Sequence, residues 1–125
     1  VRILMIEDNE SNAYLARFLL ERRGHEVVVA PTGSEGVALA RGSRYDLILL
    51  DLRLPDGDGC DFVAALVLPG TPDPTPVIAV SAHALAADRV RAIQVGCRAF
   101  IEKPIDVTGF ADRIEAIAAS GNGSP

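Results

Sequence analysis

Five short apolar runs alternate with amphipathic stretches along the chain, and four of the runs end on polar residues. Arg2-Ile3-Leu4-Met5-Ile6 leads into Glu7-Asp8, and Leu47-Ile48-Leu49-Leu50 leads into Asp51. Val77-Ile78-Ala79-Val80 ends at Ser81, and Ala99-Phe100-Ile101 passes through Glu102 to Lys103-Pro104. A fifth run, His25 to Ala30, carries the β-branched triplet Val27-Val28-Val29, which favours a strand. Continuous apolar runs of this length read as strands buried on both faces, as in a parallel sheet. Between them the spacing predicts helices over about Glu10–Arg23, Gly33–Arg41, from near Asp58–Cys60 through Val67, Ala84–Val95 and Val107–Ala119. Leu15, Phe18 and Leu19 share a face of the first helix, and Gly24 follows as a stop signal. Phe62, Val63, Leu66 and Val67 form the apolar side of the third; Phe110, Ile114 and Ile117 recur at i, i+4, i+7 in the last. The pattern is a (βα)₅ α/β domain, doubly wound, with helices on both faces of a five-stranded parallel sheet and right-handed crossovers.

In an open sheet of this kind, ligands bind beyond the carboxyl ends of the strands. Glu7, Asp8, Asp51, Ser81 and Lys103 all stand at such ends. Like charges about 4 Å apart repel by roughly 4 kcal/mol at an effective dielectric near 20. Three carboxylates against one ammonium therefore call for a hard dication, and carboxylate oxygens, a backbone carbonyl and water are the ligands Mg²⁺ prefers.

Composition narrows the reading further. An apolar fraction of 49% supports a buried centre, and an aromatic fraction of 5% makes that centre aliphatic. Twelve basic residues against seventeen acidic give −5, with no basic run, which argues against a nucleic-acid footprint. No stretch reaches the roughly 18 apolar residues of a membrane span, and no signal peptide is visible, so the expected compartment is the cytoplasm. Cys60 and Cys97 lack metal-site spacing and read as reduced, partly buried thiols. Pro69 to Pro76 is a proline-rich connector expected to be a loop, and residues 120–125 read as a flexible tail or the start of a linker after a domain spanning 1–119.

Together these residues resemble the receiver domain of bacterial response regulators. Glu7-Asp8, Asp51, Ser81 and Lys103-Pro104 stand at the expected strand ends. Asp51-Leu52-Arg53-Leu54-Pro55-Asp56-Gly57-Asp58-Gly59 looks like the family's D-x-x-(M/L)-P-x-x-(D/N)-G loop. Ser81-Ala82-His83-Ala84 and Ile101-Glu102-Lys103-Pro104-Ile105-Asp106 are similar to receivers of hybrid kinases and stand-alone cell-cycle regulators. A lone Lys-Pro or acidic pair carries little; five ordered elements over essentially the whole chain carry a great deal.

The resemblance implies a strand order 2-1-3-4-5 and a signalling module that modifies itself but converts no separate metabolite. It implies Asp51 as phosphoacceptor from a histidine kinase or histidine phosphotransfer protein, with output through a phosphorylation-dependent protein partner. Mg²⁺ would be held by Asp8, Asp51 and the Arg53 backbone carbonyl, with Glu7 acting through water. Lys103 would hold a phosphoryl oxygen across a cis Lys103-Pro104 bond, and Ser81 would supply the switch hydroxyl. Phe100 stands where receivers carry a switch aromatic, although ordinary core is the plain alternative; without a tyrosine hydroxyl, its inward state is expected to lack polar anchoring. Arg53 and His83 would tune phosphoryl lifetime, His83 reading as a partly exposed loop residue rather than a base. Output is expected through the face of the fourth helix, fifth strand and fifth helix.

Three other readings compete. A Mg²⁺-dependent phosphohydrolase would want a D-x-D context, but Arg53 follows Asp51 by two, and no cap domain is present. A flavodoxin-type binder would need a phosphate-cradling loop where Glu7-Asp8-Asn9-Glu10 is acidic. A scaffold receiver that accepts no phosphate is opposed by the presence of every required residue type.

Overall fold

A computed structural model of the chain describes residues 1–67, 74–82 and 85–119. Its sheet contains β1 (Arg2–Ile6), β2 (Glu26–Ala30), β3 (Leu47–Asp51), β4 (Val77–Ser81) and β5 (Ala99–Glu102). All pairings are parallel and the order is 2-1-3-4-5. Helices α1 (Glu10–Glu21), α2 (Gly33–Gly42), α3 (Val63–Leu66), α4 (Ala86–Gln94) and α5 (Phe110–Ala119) cover the two faces.

Side-chain alternation along the strands divides the core in two. Ile3, Met5, Leu47, Leu49, Ile78, Val80 and Ile101 face α1 and α5. Leu4, Ile6, Ile48, Leu50, Val77, Ala79 and Phe100 form the opposite layer with Val63, Leu66 and Ala92. Ile3, Leu4, Ile6, Leu47 and Leu50 are wholly inaccessible, as their unbroken apolar runs predict.

Two helix starts depart from the sequence reading because side chains compete for the backbone. Asp106 accepts from the Thr108 amide and hydroxyl at 3.1 and 2.8 Å, making a turn that delays α5 from Val107 to Phe110. The third helix opens as a 3₁₀ turn over Gly59–Phe62, capped by Asp58 on the Cys60 amide, and becomes α-helical only at Val63, ending at Leu66 rather than Val67. The fourth begins at Ala86, its expected start at Ala84 lying outside the described residues, and ends at Gln94 rather than Val95; the first ends at Glu21 rather than Arg23. Phe18, expected on the buried stripe with Leu15 and Leu19, is 47% exposed. It stacks on Tyr14 at 6.3 Å, because the buried stripe runs through Ala13, Ala16, Leu19 and Leu20.

Pro74–Pro76 of the proline-rich connector carries no regular structure; the remainder of it and residues 120–125 lie outside the described residues. Both cysteines are free and fully buried rather than partly so. Burial pushes the Cys97 thiol up to about 12, which leaves it unreactive at neutral pH.

Candidate functional site

Each site residue arrives on its own strand end. Strand β1 hands over directly to Glu7, whose amide donates to the Ala30 carbonyl at 2.9 Å and so continues the β1–β2 ladder. Asp51 is the last residue of β3 and Ser81 the last of β4; the Lys103 amide donates to the Ser81 carbonyl at 2.9 Å. The Lys103–Pro104 peptide is cis, as expected from the resemblance.

These backbone positions bring the side chains together. Glu7, Asp51 and Ser81 are the buried polar residues among those described, while Asp8 is exposed at the rim. Glu7, Asp8 and Asp51 each offer a carboxylate oxygen within 4.8 Å of the others. Lys103 Nζ donates to Glu7 Oε1 at 2.5 Å and to Asp51 Oδ2 at 3.2 Å. Lys103 is the chain's only lysine. A compact ammonium can serve two carboxylates at once, where the planar arginine fork would favour one bidentate partner. Burial works against the Lys103 charge, but its hydrogen bond to Glu7 and the nearby negative charges outweigh it and hold its pKa above the ordinary value.

Glu7 shows how crowded the cluster is. Burial first, then its proximity to Asp51, raises its pKa from 4.5 to about 7, against the opposing pull of Lys103. One lysine is too little cation for this many carboxylates. The donor set is all oxygen, close-spaced and electrostatically under-compensated, and so fits a hard divalent cation such as Mg²⁺.

The loop after Asp51 folds back around that residue. Arg53 donates its amide to Asp51 Oδ1 at 3.1 Å, and its side chain is exposed. Arg53–Leu54 and Gly57–Asp58 form a two-residue antiparallel hairpin that the sequence reading missed. Asp56 at its tip caps α2, accepting from the Gly33 and Ser34 amides, both at 2.9 Å. On the other side Arg91 of α4 pairs with Asp58 and, at 3.4 Å, with Asp61. A cleft of about 370 Å³ opens between hairpin and α4, with Arg53, Asp58, Ser81 and Arg91 among its walls.

Gly59 lets this loop turn back beneath Asp51. A Cβ there would stand 2.3 Å from the Asp51 carbonyl oxygen and 2.8 Å from Leu52 Cα, both backbone atoms that cannot swing aside. Gly59→Ala is therefore expected to cost about 3 kcal/mol, the upper end for overpacking, and to weaken Mg²⁺ binding by displacing Asp51. Urea unfolding with and without Mg²⁺ checks both; an unchanged midpoint would mean that the loop yields freely.

Phe100 is only 6% exposed. The expectation that its buried state lacks polar anchoring is corrected: the Arg89 guanidinium lies 4.8 Å from the ring centroid. Arg89 escaped the sequence reading because nothing local links α4 to a strand ten residues on. His83 lies outside the described residues.

Sheet order, acidic pocket and bridging lysine together define an α/β domain of the receiver class. The sequence profile of the response regulator receiver domain matches residues 3–115. The chain belongs to that family. It is 40% identical over 114 residues to the polar-differentiation response regulator DivK of Brucella anthropi, covering 91% of this chain and 93% of that protein. DivK of Brucella ovis matches to the same extent, also at 40% identity over 114 residues. Among solved structures, the CheY-like receiver domain protein of Methanospirillum hungatei superposes with a TM-score of 0.88 at 25% identity, over 99% of this chain and 98% of that one. The non-phosphorylated HemR receiver domain of Leptospira biflexa gives 0.84 at 36% identity, over 94% of each chain. The protein is thus a receiver of a response regulator, consistent with phosphorelay signalling. No helix among the described residues is long and apolar enough to cross a membrane.

Proposed function

We propose that this receiver accepts a phosphoryl group on Asp51 from the phosphohistidine of a kinase or phosphotransfer protein, and that the modified form engages a protein partner. The observation that carries this reading is a single half-buried ammonium, Lys103, shared between Glu7 and Asp51 at the edge where three strands end. An Asp51 carboxylate oxygen attacks phosphorus, an O–P bond forms, and the P–N bond breaks to release the imidazole, which takes up a proton. Transfers of this type rely on positioning and charge stabilisation more than on covalent help from the protein. Asp8, Asp51 and the Arg53 carbonyl would hold Mg²⁺, with Glu7 acting through water. When bound, the dication supplies charge neutralisation at the phosphoryl oxygens. Lys103 moves part of its hydrogen bonding from Asp51 to a phosphoryl oxygen, keeping Glu7 as its anchor.

Phosphorylation gives Asp51 a charge near −2 and new acceptor oxygens. Ser81 is drawn to them, and the space it leaves favours the buried position of Phe100. Output then passes through α4, β5 and α5. Leu85, Val90, Ile93 and Val107 in and beside those elements are each at least half exposed, an apolar set suited to a protein partner.

Intact mass after incubation with a small phosphodonor tests the proposal. One phosphoryl adduct is expected with Mg²⁺, none with EDTA, and fragmentation should locate it at Asp51. An adduct elsewhere, or none even as a beryllofluoride complex, would favour the scaffold reading. Arg53 lies two residues after Asp51 with its side chain exposed at the cleft, where it obstructs the attacking water. Arg53→Ala is expected to shorten the aspartyl-phosphate lifetime several-fold in a phosphate-release assay; an unchanged or longer lifetime would remove that role.

A further inference from the structure

Phe100 and Glu102 sit two residues apart on β5, so their side chains leave the same face of the sheet. In the β4–β5 register Phe100 stands beside Ala79 and Glu102 beside Ser81. Ala79 is small, so the Phe100 ring can lie over it within the layer that includes Leu50, Ala92 and Cys97. Its outer side meets α4. There the Arg89 guanidinium lies 4.8 Å from the ring centroid and pairs with Glu102 at 3.1 Å. One arginine thus touches both outward-reaching residues of the strand end.

We propose that Arg89 is a positioning residue that holds Phe100 in its buried rotamer and couples the ring to α4, so that ring, helix and phosphoryl site change together. The inference rests on the phosphoacceptor reading above and names the residue that sets its switching balance.

Three physical points support it. A phenylalanine has no hydroxyl to anchor it, so a polar tie must come to the ring face, and a guanidinium is well suited to that stacking. The Arg89 and Glu102 side chains are 44% and 57% exposed, so their ion pair contributes little alone; its use is to hold the guanidinium in register with the ring. Helix α4 buries only Ala92 among its nine residues, so its attachment depends unusually on Arg89 and on the Arg91 pairs with Asp58 and Asp61. A partner binding the exposed Val90 and Ile93 of this helix would therefore alter ring burial. By reciprocity, occupation of the phosphoryl site would alter partner affinity.

The test uses the full chain with fluorine-labelled phenylalanine, the Phe100 resonance being assigned by Phe100→Leu. Arg89→Gln is expected to move that resonance toward the solvent-exposed position. Arg89→Lys should do so nearly as much, since it keeps the charge and loses the planar stack. With Mg²⁺ and beryllofluoride as the phosphoryl mimic, Arg89→Gln should weaken mimic binding by about 3-fold, the scale of an exposed cation–π contact. The sign follows because the buried ring belongs with the occupied site. An unmoved Phe100 resonance in Arg89→Gln would overturn the positioning role. A resonance that moves, with mimic affinity altered by Phe100→Leu but not by Arg89→Gln, would overturn the coupling. If wild type binds no mimic, or Phe100→Leu leaves its affinity unchanged, the failure lies with the phosphoacceptor or switch reading, and the resonance alone then decides whether Arg89 holds the ring.

Discussion

Asp51→Asn is expected to take up no phosphoryl group while making the metal-free fold more stable. The amide keeps the shape of the side chain but offers no carboxylate oxygen to attack phosphorus, so the adduct should vanish entirely from the mass spectrum. Stability moves the other way because of what surrounds Asp51. Its carboxylate, only 8% exposed, lies near two others, Glu7 and Asp8, and contacts one cation, Lys103. Two repulsions and a desolvation cost stand against the Lys103 attraction and the hydrogen bond from the Arg53 amide, which an asparagine oxygen can also accept. Lys103 would retain Glu7 at 2.5 Å after the substitution, and Glu7 would lose the neighbour that helps push its pKa upward. A gain of about 1 kcal/mol in EDTA is expected, well below the roughly 4 kcal/mol of a single uncompensated contact at 4 Å. In Mg²⁺ the order should reverse, since wild type gains from metal binding and the variant gains less. Parallel urea titrations in EDTA and Mg²⁺ measure this; a variant less stable in both would mean that the Lys103–Asp51 contact dominates the cluster.

The same substitution shows why the site was legible in the sequence. A parallel strand buried on both faces must be an apolar run, so its end is visible as the first polar residue, and Glu7, Asp51 and Ser81 declare themselves that way. Strand count followed from the same physics, while strand order required the family resemblance. What could not be read is whatever depends on contacts between elements distant in sequence. Asp56 looks like any turn aspartate until α2 is seen to begin against it, and Arg89 and Arg91 look like solvated helix residues until β5 and the loop after Asp51 lie opposite. The hairpin over 53–58 has too few residues for a period to show. Phe18 misled because an aromatic at helical spacing reads as core, whereas its helix turns the alanine stripe inward and leaves the ring to stack on Tyr14. Helix α5 began late for a local reason, the Asp106 turn, that the spacing of Phe110, Ile114 and Ile117 already hinted at.

Crowding at the site also makes stability depend on pH in a direction opposite to ordinary acid denaturation. Glu7 has a folded pKa of about 7 against an ordinary 4.5. Between those values the folded chain holds a proton that the unfolded chain has released, so stability falls as pH rises through that window and levels off above it. Two to three pH units of displacement correspond to about 3 kcal/mol, a large share of the 5–15 kcal/mol typical of a whole domain. Asp56, Asp58, Asp106 and Glu115 have pKa values held below the ordinary range, so the stability they contribute is lost only in more acidic solution. In EDTA the protein should therefore be more stable near about pH 5.5 than near about pH 8. Saturating Mg²⁺ should flatten that slope, because a dication among these oxygens favours ionised Glu7, and its binding should release protons at about pH 6. Glu7→Gln should flatten the slope without metal. Urea midpoints across pH for wild type and variant, in EDTA and in Mg²⁺, give the four curves required. A metal-free wild type whose stability stays level or rises toward about pH 8 would show that Lys103 alone neutralises the cluster, and would remove the electrostatic case for a dication at this edge.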